Sequence, residues 1–173
     1  MYKPQIIILC EDRAHYHFIR SFCLENGWNE RQIIKVFQSP FAVGFAEQYV
    51  KNKYFDIVKL FRSKIGQNRN IALIVMIDGD MDGIAKRKAD FESLAQRTYN
   101  EKIAIFVPTR NIQSWFKILD SSSNFDENVD YKQKYKNASP AKYAKELNML
   151  HQQKNCPLDS LSLLDACDEW KRI

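Results

Sequence analysis

Glu11 stands directly after the apolar run Ile6-Ile7-Ile8-Leu9-Cys10, and Asp78-Gly79-Asp80 stands directly after the apolar run from Ile71 to Ile77. Ligands of parallel α/β sheets collect at the carboxyl ends of the strands. Two acidic segments 67 positions apart would therefore converge on one edge, provided their strands are neighbours. Asp78 and Asp80 point the same way if strand geometry persists past Ile77, and Gly79 between them lets the backbone come close to a ligand. Three carboxylates at one spot repel each other unless a cation joins them. Hard oxygen ligands in that number suit Mg²⁺ or Mn²⁺, ions that polarise a phosphoryl oxygen and lower the pKa of a bound water. Glu11, Asp78 and Asp80 are the candidate catalytic residues, and Asp82 joins them in the candidate metal set.

Other readings of the same residues remain open. Asp-Gly-Asp-Met-Asp-Gly suits a solvated turn. It also opens like an EF-hand loop, but the twelfth position counted from Asp78 is Ala89 where that loop needs Glu. Glu11 with His15 and His17 invites a zinc site, yet two histidines two positions apart fall on different faces of a helix. His15 and His17 read instead as helix-surface or phosphate-contacting residues. Lys86-Arg87-Lys88 lies on the first turns after the acidic loop. With Arg13 and Arg110 it would ring the metal site and bind nucleic-acid phosphates, or it is a solvated charged face.

The elements that must position these groups alternate along the chain. Ile6 to Cys10 predicts a strand buried on both faces. A helix follows from about Arg13 to Asn26, with Phe18, Ile19, Phe22 and Cys23 on one side and Gly27 as its stop. Gln32 to Phe37 is a second strand. Ala46, Val50, Ile57, Phe61 and Ile65 keep helical spacing up to Gly66. Ile71 to Ile77, the most apolar stretch, is the central strand, and a helix runs from Ile84 to Tyr99. Ile103 to Val107 is a fourth strand closed by Pro108, and Ile112, Trp115, Phe116 and Leu119 start another helix. This β-α alternation predicts an α/β fold, a Rossmann-like, mostly parallel four-stranded sheet flanked by helices. The expected organisation is an α/β domain over 1–119 and, over 120–173, a polar loop with Ser121-Ser122-Ser123 and two helices, about Pro140 to Gln152 and Ser160 to Arg172, packed on the same domain.

Composition sets outer bounds. The 173 residues, 45% hydrophobic and 27% charged, exclude a disordered or fibrous chain. The net charge of +5 leans toward anionic partners. Cys10, Cys23, Cys156 and Cys167 form no CxxC pair and no zinc spacing. Reduced thiols and a cytoplasmic protein are expected. No signal-peptide pattern precedes Ile6, and no run approaches the roughly 20 apolar residues that span a bilayer.

The segments Ile-Ile-Leu-Cys-Glu11 and Val-Met-Ile-Asp78-Gly79-Asp80 resemble the Toprim family, whose pattern is a glutamate after the first strand and Asp-x-Asp after a later apolar one. The likeness covers about the first 110 residues. It implies a Toprim fold and a Mg²⁺-dependent phosphoryl-transfer site, with Glu11 as metal ligand or general base and Asp78 and Asp80 as metal ligands. Many Toprim glutamates are followed by Gly, where this chain has Asp12. That departure points away from topoisomerases and primases and toward the nuclease-like branches. Asn111-Ile112-Gln113-Ser114-Trp115 looks like the Asn-Ile-Glu-x-Trp segment of small Toprim-like proteins of bacterial defence loci, with Gln113 in place of the acid.

The resemblance therefore implies cleavage of DNA or RNA phosphodiesters, in an anti-phage setting and with an ATPase encoded separately. A binding or regulatory module that acts through such a partner, and a small nucleotide phosphotransferase, are the alternatives from other classes.

Overall fold

The computed structural model describes residues 3–40, 45–120, 125–153 and 160–173. Four strands, β1 (Gln5–Cys10), β2 (Ile33–Gln38), β3 (Ile71–Met76) and β4 (Ile103–Phe106), form one all-parallel sheet in the order β2-β1-β3-β4. Six helices flank it among the described residues: α1 (Arg13–Glu25), α2 (Ala46–Gly66), α3 (Gly83–Leu94), α4 (Ile112–Leu119), α5 (Pro140–Gln152) and α6 (Leu161–Trp170). The α/β, Rossmann-like class expected from the alternating pattern is the fold observed.

Strict alternation divides the strands between two cores. Ile6, Ile8 and Cys10 of β1, Ala72, Ile74 and Met76 of β3, and Ala104 and Phe106 of β4 face α1, α4, α5 and α6. Ile7 and Leu9, Leu73 and Val75, and Ile103 and Ile105 face Val50, Tyr54, Ile57, Val58 and Phe61 of α2 and Phe91 of α3. Because both faces are covered, β3 and β4 are apolar without a break and β1 is apolar from Ile6 to Cys10, the sequence signature of a buried parallel strand.

The connections run in opposite directions from the sheet's centre. From β1 the chain passes through α1 to β2 on one side, and from β3 it passes through α3 to β4 on the other. The topological switch therefore lies between β1 and β3, where such sheets open a crevice beyond their carboxyl ends.

The structure departs from the sequence expectations at a few places. α3 stops at Leu94, not Tyr99, because Ala95 turns extended and Glu92 captures the Arg97 amide and guanidinium. On α2, Tyr54 and Val58 share the buried stripe, while Ile65 in the last turn is 41% exposed. Residues 125–137 carry turns but no helix or strand, as expected of the polar segment; Ser121-Ser122-Ser123 lies outside the described residues. Cys10 and Cys23 are free and buried, and burial pushes both thiols up. Cys167 is disulfide-bonded, which corrects the expectation of reduced thiols at that residue; sequence spacing does not report a pairing made by the folded chain. Cys156 lies outside the described residues. No described helix is long and apolar enough to cross a membrane.

Candidate metal centre

Glu11 is the first residue after β1, and Asp78 follows β3 by two positions, so both stand at the switch point. The β3 backbone keeps its partner beyond Met76. Ile77 donates to the Phe106 carbonyl (3.1 Å), Gly79 to that of Pro108 (2.8 Å) and Asp80 to that of Arg110 (3.0 Å). Gly79 is needed here for packing. A Cβ at this position would sit 2.3 Å from the Thr109 carbonyl oxygen and 2.7 Å from that of Pro108. The close approach expected at Gly79 is thus made to a neighbouring loop. At Asp80 the backbone enters the left-handed region (φ 48°), and Gly83 (φ 74°) then starts α3.

Three buried side chains meet at this edge. Glu11 (7% exposed), His15 (0%) and Asp78 (6%) each offer one ligand atom, all within 4.8 Å of one another. One oxygen of each carboxylate is anchored by protein donors. Glu11 Oε2 accepts from the Asp78 amide at 3.1 Å. Asp78 Oδ1 meets His15 Nε2 at 2.9 Å and accepts from the Ile112 amide, at the start of α4, at 3.0 Å. Glu11 Oε1 and Asp78 Oδ2 make no hydrogen bonds with the described residues. Lys132 Nζ stands 3.9 Å from Oδ2.

The electrostatics follow from this crowding. Burial, reinforced by the neighbouring Asp78 charge, pushes Glu11 up to about 7, against the pull of His15 and the Asp78 amide. Burial alone would lower His15, but the charges of Asp78 and Asp12 outweigh it and push the imidazole up to about 10. Asp12 caps α1: its carboxylate accepts from the His15 amide at 2.9 Å and lies 3.5 Å from His15 Nδ1. Two buried carboxylates with one uncommitted oxygen each, beside a buried imidazole, form a group that could bind a metal ion.

The remaining predicted site residues are placed differently. Asp80 flanks the group without joining it. Its left-handed backbone interrupts the alternation that would align it with Asp78, and its carboxylate lies 3.5 Å from Arg87. Burial and Asp78 raise its carboxyl, against Lys132 and Arg87. Asp82 turns to Arg87 (3.2 Å) and Lys86 (3.3 Å), away from the expected metal set. Arg87 is 2% exposed and forks onto Glu47, so it is an internal counter-ion, not a surface phosphate contact. Lys88, expected among the phosphate contacts, reaches Asp165 (2.5 Å) and Glu169 (2.8 Å) of α6. Lys86 is exposed and shared between Asp82 and Asp90. Arg13 is exposed at the start of α1, and Arg110 is half-buried with its guanidinium against the Met81 sulfur.

Two residues at the site are missed by the sequence reading. His15 is fully buried beside Glu11, not on the helix surface; only His17 is exposed. The signal was present in the spacing. His15 lies three and four positions before Phe18 and Ile19 on the buried face of α1. Lys132 sits in the polar 125–137 segment, where no motif marks it. In comparison with known proteins, no family model, curated protein or solved structure matches the chain.

Proposed function

We propose that this chain is a Toprim-type, metal-dependent phosphodiesterase acting on DNA or RNA, with Mg²⁺ or Mn²⁺ held by Glu11 and Asp78 and with His15 positioning Asp78. One observation carries the reading. Carboxylates 67 positions apart meet at the ends of neighbouring strands, and each has one oxygen fixed and one uncommitted. The uncommitted Glu11 Oε1 and Asp78 Oδ2 are the oxygens available to an ion, while His15 and the Ile112 amide hold Asp78 in place. Carboxylate oxygens suit Mg²⁺ or Mn²⁺ alike. Such an ion supplies a water of lowered pKa and charge stabilisation at a phosphoryl oxygen. Glu11, at the carboxyl end of β1, is the residue to orient that water or take its proton.

A second reading has its own support. Asp80 is engaged with Arg87, and Gln113 stands where the related segment has an acid. A site with fewer acids suits a module that binds nucleic acid or metal and acts through a separately encoded ATPase.

The test uses purified protein with Mg²⁺ or Mn²⁺ and mixed DNA and RNA. Metal-dependent cleavage is expected, lost in Glu11→Gln and Asp78→Asn while both variants still melt cooperatively. Stable binding without cleavage by the wild type favours the module. Undiminished cleavage by Glu11→Gln would refute the assignment.

A further inference from the structure

Residues 125–137 form a strap beside the metal centre, and it is fastened at several points. Glu127 accepts from Thr109 Oγ1 (2.9 Å), from Ser162 Oγ (2.7 Å) and from Ser160 Oγ. Asp130 accepts from Asn111 Nδ2 (2.9 Å) and from the Lys132 amide (2.8 Å). Tyr135 is buried between Phe116 and Tyr143. Asn111 caps α4, the helix whose first amide donates to Asp78. The backbone of Lys132 is thereby tied to the same helix start that orients the metal-site carboxylate.

The Lys132 side chain is held more loosely. It is 51% exposed, and its ammonium stands 3.9 Å from Asp78 Oδ2, the oxygen left uncommitted by the other donors. It also acts on Asp80. A cation taken up by Glu11 and Asp78 claims that oxygen. Two positive charges so close repel each other unless an anion lies between them. A phosphate oxygen shared by the ion and the ammonium meets that requirement, and lysine serves such a contact as a mobile point charge.

We propose that Lys132 is the phosphate-contacting residue of this site and that the fastened strap presents it to a phosphodiester or pyrophosphate group. The inference rests on the metal-site reading above but not on cleavage. Fluorescence anisotropy of a labelled oligonucleotide, and calorimetry with inorganic pyrophosphate, both with Mn²⁺ present, test it on the wild type, Lys132→Gln, Lys132→Arg and Lys136→Gln. Lys132→Gln should weaken binding of both probes by about tenfold and reduce the salt slope for the oligonucleotide by about one. Lys132→Arg should bind within a few-fold of the wild type, and Lys136→Gln should bind both probes as the wild type does. Mn²⁺ binding without the probes should be as tight or tighter in Lys132→Gln, because a competitor for Asp78 Oδ2 is gone. Equal binding by wild type and Lys132→Gln overturns the proposal even if the protein cleaves nucleic acid, and so does a wild type that binds neither probe. Lys132-dependent pyrophosphate binding without oligonucleotide binding upholds the contact and overturns the nucleic-acid reading instead.

Discussion

At His15 the imidazole touches Asp78 at 2.9 Å and is fully buried, so its removal acts on the carboxylate as well as on any ion. Partners that orient a metal ligand typically contribute about 10–100-fold to affinity. His15→Asn is therefore expected to weaken Mn²⁺ binding, read by calorimetry, by about that range, and an unchanged affinity would separate His15 from the site. Gly79 acts on the same carboxylate through the backbone. Glycine carries only a hydrogen where a Cβ would meet the Thr109 and Pro108 carbonyls. Gly79→Ala should cost about 2–3 kcal/mol in urea unfolding, the usual scale of overpacking against atoms that cannot yield. A loss below about 0.5 kcal/mol would mean that the loop gives way. Glu11 and Asp78 were legible in the sequence because an acid placed after a strand buried on both faces is exceptional. The placing of Asp80 outside the buried group was not legible, because alternation presumes an extended backbone and Asp80 has a φ of 48°. The burial of His15 shows in its spacing to Phe18 and Ile19, which share its face, and not in its spacing to His17.

β4 occupies the far edge of the sheet, and edges of this kind need covering. Here α6 and the segment after α3 supply the cover with charged groups. Glu169 accepts from the Ile105 amide (2.9 Å), and Arg97 donates to the Ile103 carbonyl (3.0 Å). Arg97 and Lys88 then neutralise Glu169 at 2.6 and 2.8 Å. Burial alone would raise Glu169, but these donors outweigh it and hold the carboxyl below its ordinary value. A lowered folded-state pKa contributes stability above the unfolded value near 4.5, and that contribution is lost as pH falls through the folded value. Glu169→Gln should therefore be about 3–5 kcal/mol less stable than the wild type at pH 7, as expected when one partner leaves a buried charge network. The gap should narrow on acidification below about pH 4.5. Asp165, which burial raises against Lys88, shifts the other way but is present in both proteins. Chemical denaturation from pH 3 to 7 measures the gap, and a constant difference would deny the charge its role. The strands were legible to within a residue because each is a short apolar run between turn signals. Their order was not, since local pattern says nothing of which strand lies beside which. The end of α3 was hidden for a related reason: what stops it is a side-chain clasp between Glu92 and Arg97, not a Gly or Pro.

For the molecule as a whole, the question is whether the last third of the chain is an appendage or part of the core. The two C-terminal helices mix polar and apolar residues along their length. In the fold their large apolar residues are spent mostly inward. Tyr143 and Leu147 of α5, and Leu163 and Trp170 of α6, are buried with Phe18, Phe22, Phe106 and Trp115 in one cluster. Trp170 alone meets Phe22, Trp28 and Phe106. At about 1.5–3 kcal/mol for each large apolar side chain buried, these four stabilise the fold by roughly 6–12 kcal/mol. That is the scale of a whole domain's net stability, about 5–15 kcal/mol. A fragment ending at Leu119 would also uncover the β4 edge and release the strap that carries Lys132. Residues 1–119 alone are expected to show no cooperative thermal transition by circular dichroism and rapid proteolysis within the helices, whereas the full chain melts in one step. A fragment that melted cooperatively and bound Mn²⁺ as tightly as the full chain would make 120–173 a true appendage. The metal centre, its fastened strap and the edge clasp would then have to be treated as separable parts instead of consequences of one core.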